Sequence, residues 1–392
     1  MRRAVFVSLS LLLALAARAQ PGVQAYDSLE AARAKAWADS VLAAARTRER
    51  PERVWTVAPI LWYTPETGLA FGAGGIWYFR PGSDDGGVRP GRTPSRLSGL
   101  ALYTLEGQVI VENRGELYTD ADRWRLRWTA GWSRYPFSFF GIGGDTEKEN
   151  EERYTNTYPL VEATAYRGLT ERFFLGLGGW VEHNRFSDFA EGGLLEAGGV
   201  PGQEGGWNAG LGPALLYDAR DNVLMSYRGW YAAAHATFFG PALGGEHAYA
   251  DLELDLRGFV ELGRDRPSPH VLALQGYAHW TPGSPPFHRL TLLGGPERLR
   301  GYFLGRYRDA FLLQAQAEWR FPVWRFLRGA AFVAAGDVAP DPGAWRPDAL
   351  KVSGGLGLRL LLDPEDRSAL RFDAALTREG EPGFYLQFTE SF

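Results

Sequence analysis

Arg123-Trp124-Arg125-Leu126-Arg127-Trp128-Thr129-Ala130-Gly131-Trp132 carries two chemistries in strict alternation. Successive side chains of an extended chain point opposite ways. Trp124, Leu126, Trp128, Ala130 and Trp132 therefore share one face, and Arg123, Arg125, Arg127 and Thr129 share the other. The same period returns downstream, where Phe311, Leu313, Ala315, Ala317, Trp319 and Phe321 oppose Gln314, Gln316, Glu318 and Arg320. Leu252, Leu254 and Leu256 likewise oppose Asp251, Glu253, Asp255 and Arg257. Alternation alone fits a sandwich in water as well as a barrel in lipid.

Other features separate the two. The chain opens with Arg2 and Arg3, an apolar run from Ala4 to Ala17, and Ala17-Arg18-Ala19 before Gln20, which is the form of an export signal. Aromatic residues make up 14% of the chain and gather at strand ends, as a membrane interface requires. Past the leader there is no apolar run of about eighteen residues, so no transmembrane helix is available. In lipid every backbone group needs an internal partner, and a closed barrel is the sheet that supplies one. The expectation is an all-β fold, a transmembrane antiparallel β-barrel of about sixteen strands over 54–392. A signal peptide (1–19) precedes it, with a short periplasmic helical segment (20–53) that runs from Ser28 to Arg50 and ends at Pro51. Among the strands, the fifth to seventh are expected at 123–133, 153–167 and 171–184, and the last at 383–392.

Composition excludes several function classes. A net charge of −4 with arginines scattered singly leaves no footprint for nucleic acid. The absence of cysteine removes a lipid anchor, disulfides and thiolate metal sites. Six dispersed histidines give no metal-ligand spacing, and no Gly-x-Ser-x-Gly elbow is present. Asp251 and Glu253 read as solvation of a polar wall, not as a hydrolytic pair. No catalytic residue, cofactor or metal is expected, and the chain does not read as an enzyme.

With the N-terminus in the periplasm, connections after odd strands face outward. The sixth of these, 281–309, holds Gly294-Gly295-Pro296-Glu297-Arg298-Leu299-Arg300-Gly301-Tyr302, too glycine-rich and charged for a strand interior. Two further stretches between strands stand out: Tyr217-Asp218-Ala219-Arg220-Asp221-Asn222 followed by Arg228-Gly229-Trp230, and the glycine-rich Phe139-Phe140-Gly141-Ile142-Gly143-Gly144-Asp145.

These motifs resemble the barrel of the BamA/TamA family of outer-membrane assembly and translocation proteins, also called bacterial surface antigens, over roughly Val54 to Phe392. The resemblance implies a sixth outward loop folded into the lumen with Arg300-Gly301-Tyr302 at its tip. It also implies loop anchoring by Glu318 and Arg320, a periplasmic turn at Asp218, Arg220 and Asp221, and a C-terminal recognition strand carrying Phe384, Phe388 and Phe392. Strand parity turns Glu318 to the lumen, so a pair between Arg300 and Glu318 is expected, surrounded by Arg359, Arg371 and Asp373. A charge swap of that pair should then partly restore what each single change loses.

The sequence departs from the family pattern in three places. Ala334 replaces the Asp of a Phe-x-Asp-x-Gly pattern, which leaves a clamp with one carboxylate. Glu390 replaces an apolar residue of the recognition strand. The periplasmic POTRA repeats are expected to be absent, because 20–53 cannot hold one.

The implied function is insertion or translocation of protein or lipid at the Gram-negative outer membrane. It would work through a weak seam between the first and last strands, aided by Gly383 and a short first strand, together with a plugged lumen and local bilayer thinning. The implied partners are outer-membrane lipid, an unfolded protein or lipid substrate, and a periplasmic accessory protein. The alternatives are a passive diffusion channel or receptor with a constricting loop, and a barrel hydrolase.

Overall fold

The computed structural model describes residues 54–64, 67–79, 95–119, 123–263, 269–363, 367–388 and 390–392. The expected signal peptide and periplasmic helical segment lie outside the described residues. The first strands are β1 (Val54–Thr64), β2 (Gly68–Phe79), β3 (Ser95–Thr104), β4 (Val109–Thr119), β5 (Trp124–Phe139) and β6 (Glu152–Gly168). They are followed by β7 (Phe173–Ser187), β8 (Gly206–Asp218), β9 (Gly229–Phe239), β10 (Tyr249–Leu262), β11 (His270–Trp280), β12 (Thr291–Leu293) and β13 (Tyr307–Asp309). The last are β14 (Phe311–Trp324), β15 (Leu327–Ala339), β16 (Lys351–Asp363), β17 (Ser368–Thr377) and β18 (Pro382–Phe388).

Sixteen of these strands form one antiparallel sheet in chain order, the wall of the barrel, while β12 and β13 pair apart from it. That small hairpin lies within the 281–309 connection. The order begins at β1 and ends at β18, and the two strands meet without a backbone ladder among the described residues.

Alternation sorts the wall as the sequence pattern requires. On β10, Leu254 and Leu256 are 41% and 46% exposed on the outer face, whereas Asp251, Asp255 and Arg257 are buried toward the lumen. On β5, Trp124, Leu126 and Trp132 are exposed outside, and Arg127 reaches Glu116 at 2.8 Å inside. An apolar outer band over a charged interior is what lipid on one side and a polar lumen on the other select.

Several boundaries differ from expectation. β5 runs on to Phe139, β6 starts at Glu152 and extends to Gly168, and β7 ends at Ser187. Their added length carries Tyr135, Phe137 and Phe139 on β5 and Phe186 on β7, which pack against the 281–309 loop and so repay the extension with burial. β1 is not short: its 11 residues pair along their whole length with β2, from Val54 with Tyr78 to Thr64 with Gly68. The short strand at the seam is β18, with 7 residues. It ends at Phe388, not at the expected 392, and Glu390 and Phe392 turn into the interior, where both are buried.

The two faces predict opposite tolerances. Leu256→Arg, on the outer band, should lower barrel stability by about 2–4 kcal/mol in urea titrations of vesicle-folded protein. Leu256→Val should change it by under about 1.5 kcal/mol.

Candidate functional site

The 281–309 segment leaves the wall after β11 and folds back inside, where almost all of it from Pro286 onward is buried. Its stalk is the β12–β13 hairpin, in register Thr291 with Asp309, Leu292 with Arg308 and Leu293 with Tyr307. One side of the loop sets Phe287, Leu292 and Leu304 against Tyr135, Phe137, Phe139 and Tyr154. The other sets Leu293, Leu299 and Tyr302 against Tyr277, Leu312, Ala334 and Val338. Ala334, where an acid was looked for, is thus part of the apolar seat under the loop. Asp337, three residues on, is engaged by Lys351 at 2.7 Å.

The tip needs unusual backbone. Gly301 has φ +113°, and a Cβ there would stand 3.0 Å from Thr377 Cγ2. Its amide donates to the Tyr385 hydroxyl at 2.8 Å. Gly383 faces it from β18, where an added Cβ would lie 2.9 Å from the Gly301 Cα. Gly383, expected as a mark of poor strand pairing, is therefore explained by the close approach of the loop tip.

Arg300 is fully buried. Its Nη2 donates to Glu318 Oε2 at 2.8 Å and its Nη1 to Asp373 Oδ2 at 2.7 Å, while its guanidinium lies 3.4 Å from the centre of the Phe332 ring. The clamp has two carboxylates, not one, because β17 supplies Asp373 where β15 has alanine. Glu318 Oε1 also accepts from Arg320 Nε at 2.8 Å and Arg359 Nη2 at 3.0 Å. Arg359 Nη1 donates to Asp373 Oδ1 at 2.6 Å, and its Nε to Glu390 Oε2 at 3.0 Å. Arg371 donates to the Pro296 carbonyl at 3.0 Å and to the Gln387 side chain, and its Nε lies 3.4 Å from Asp373. Gly357 leaves room for this crossing, since a Cβ there would fall 2.0 Å from Arg359 Nη1 and 2.1 Å from Asp373 Oδ1.

Glu390 is the member that sequence reasoning missed. Its burial reflects demand from Arg359, and from Arg320 at 3.7 Å, for a further carboxylate. Arg320 Nη2 also donates to the Phe392 backbone oxygen at 3.2 Å, and the Phe392 ring packs with Phe259 and Ala273. Of the expected recognition-strand residues, Phe384 is exposed on the outer face, Phe392 is inside, and the Phe388 side chain lies outside what is described.

The loop's other arginines are held as well. Arg289 sits 3.6 Å from Glu182 and 3.7 Å from Asp251, with Trp180 under it at 4.6 Å. Arg298 stacks 3.4 Å from the Tyr277 ring centre and 3.9 Å from Glu253. Asp251 and Glu253, expected to be mere solvation, are therefore buried beside the loop. Arg306 donates to the Thr146 carbonyl at 2.8 Å and Arg308 to that of Ser138 at 3.1 Å. The third outward loop joins the stalk where the Gly143 amide donates to the Arg308 carbonyl at 2.8 Å. No cluster of metal ligands occurs among the described residues.

The structure keeps Asp218, Arg220 and Asp221, expected in a periplasmic turn, apart from this network. Asp218 receives Arg220 in a fork, Nε at 2.9 Å and Nη2 at 2.8 Å. Asp221 accepts the amides of Tyr227 and Arg228 and pairs with Arg367 at 2.6 Å. Partial burial opposes its charge, but Arg367 and the two amides outweigh that and hold its carboxyl below the ordinary carboxylate range. Its contribution to stability is therefore complete above the unfolded value of about 3.9 and is lost as pH falls through the lower folded value.

A family model described as the Omp85 superfamily domain matches residues 109–392. No curated protein sequence matches the chain. Among solved structures, the fold is similar to BamA from Haemophilus ducreyi lacking POTRA domains 1–3, with TM-score 0.60 and 16% identity over 87% of this chain and 70% of that one. It is also similar to CdiB from Acinetobacter baumannii, at TM-score 0.55 and 11% identity over 87% and 60% of the two chains. CdiB from Escherichia coli gives 0.52 and 13% over 87% and 62%.

Arg300→Ala removes the loop tip's two charge-assisted hydrogen bonds, while Arg320, Arg359 and Arg371 still hold Glu318 and Asp373, and should cost about 1.5–3 kcal/mol. The readouts are loss of heat-modifiable gel mobility and new protease cleavage within 294–306. The swap Arg300→Glu with Glu318→Arg should fail to rescue it, because it sets an arginine beside Arg320 and Arg359 and a glutamate beside Asp373.

Proposed function

Because the chain belongs to the Omp85 superfamily, we propose that it is an outer-membrane barrel of the BamA/TamA type that helps insert or translocate protein or lipid at the Gram-negative outer membrane. The observation that carries this reading is the buried clamp on Arg300. A loop held by two carboxylates inside the lumen makes a poor path for solutes and leaves the wall as the working surface. The wall is least stitched where β1 meets the seven-residue β18. A substrate strand or lipid would be handled at that edge, where unpaired backbone groups invite a partner. On this reading the chain is exported by its signal peptide and performs no catalysis. Its partners are membrane lipid, an unfolded protein or lipid substrate, and a periplasmic accessory protein.

The inward turn of Glu390 and Phe392 supports the same reading. It removes the chain's last residues from the wall, so the edge facing β1 is shorter than the strand pattern alone provides.

Planar bilayers and a gene deletion test this together. The reading predicts little steady conductance from the wild-type barrel and an outer-membrane protein or lipid assembly defect on deletion. Large, steady openings with normal assembly would establish a diffusion channel in its place.

A further inference from the structure

The Asp218 to Arg228 motif has no part in the clamp, yet its surroundings are not those of a simple hairpin turn. β8 and β9 are neighbours, and residues 219–228 between them leave the wall. Leu224, Met225 and Ser226 are buried in this connection at the barrel's end, whereas connections usually lie exposed. Their fold is fixed locally: Asn222 Oδ1 accepts the amides of Leu224 at 2.7 Å and Met225 at 3.0 Å, and Ser226 Oγ donates to the Asn222 carbonyl at 2.6 Å.

The far end of the segment meets the opposite side of the mouth. Asp221 Oδ2 accepts from Arg367 Nη1 at 2.6 Å, and the same guanidinium donates to the Met225 carbonyl at 3.2 Å. Arg367 lies in the connection between β16 and β17. Tyr227 Oη accepts from Arg328 Nη1 at 2.7 Å, and its ring carries Arg367 at 3.8 Å and Arg328 at 4.9 Å. Arg328, near the start of β15, also donates to the Pro269 carbonyl just before β11. Between β9 and β15 stand β10, β11 and β14. At the usual strand spacing the gap along the wall is ~19 Å, so these contacts cross the lumen.

We propose that residues 219–228 form a strap across the periplasmic mouth of the lumen, latched by Asp221 with Arg367 and by Tyr227 with Arg328, and that its release admits periplasmic molecules to the underside of the lumenal loop. The side assignment rests on the outer-membrane reading above. Charge-assisted hydrogen bonds at 2.6 and 2.7 Å and an aromatic ring between two guanidiniums make a latch that is firm yet polar, one that a charged competitor can replace. Strap and loop then close the lumen from opposite ends, so a solute path needs both to move.

The chain has no cysteine, so single introduced thiols report cleanly. Met225→Cys places a thiol in the strap, and Thr164→Cys places one on the lumenal wall of β6, where Thr164 is buried. Each is carried by the full chain folded in vesicles of known orientation and treated with a membrane-impermeant maleimide. Labelling should be slow at both positions when the latch is intact. With Asp221→Asn or Arg367→Gln it should rise about tenfold or more at both, with heat-modifiable mobility unchanged. Arg367→Gln leaves the amide contacts of Asp221 in place, so it serves if Asp221→Asn does not fold. Faster labelling at Met225→Cys alone, with Thr164→Cys unmoved, would reduce the strap to a local turn and overturn the proposal. Faster labelling of both from the outer side only would keep the strap and overturn the side assignment.

Discussion

A guanidinium taken out of water needs acceptors on more than one side, and Arg359 meets three carboxylates: Glu318, Asp373 and Glu390 at 3.0, 2.6 and 3.0 Å. Through Glu318 and Asp373 it touches the acids that hold the loop, and through Glu390 it holds the end of the chain. Four arginines (300, 320, 359 and 371) share the side chains of Glu318, Asp373 and Glu390 here, and the Pro296 carbonyl, the Phe392 backbone oxygen and the face of Phe332 supply further partners. Each acid is consequently contested, and a change at one arm is felt at the others.

That sharing ties together two parts of the molecule, the lumenal loop and the residues that follow β18. Arg300 and Glu390 do not touch, yet both depend on Arg359 and its partners. If the loop withdrew, Glu318 and Asp373 would turn more fully to Arg359 and weaken its hold on Glu390. The position of the lumenal loop and the length of the free edge at β18 are then two readings of one electrostatic balance. The apolar packing of the loop on Tyr135, Phe137 and Tyr277 sets the energetic floor, and the ion network sets its register.

Much of the wall was legible in the sequence because strand parity is a strong constraint. A residue on the wrong face would put a charge into lipid, so the alternation of β5, β10 and β14 gives both the sheet and the sides of its residues. The same parity turned Glu318 inward. What could not be read were properties of the third dimension. Asp373 lies 73 residues from Arg300, and nothing local marks it as the second clamp. Glu390 looked like a departure from an apolar strand end because its reason is the unmet charge of Arg359 and Arg320 on strands far away in sequence. Gly383 looked like a weak spot in a strand, whereas it, like Gly357, vacates the space that a crossing side chain or backbone fills. The extensions of β5 to β7 followed from aromatic residues that only the folded loop could bury.

The central claim is that loop and chain end are coupled through a shared arginine, and a double-mutant cycle between two residues that do not touch tests it most directly. Stability in lipid vesicles would be measured for the wild type, Arg300→Gln, Glu390→Gln and the double variant. The account predicts an interaction free energy of about 1 kcal/mol or more between the two sites. Additivity within about 0.3–0.5 kcal/mol, as for independent positions, would contradict it.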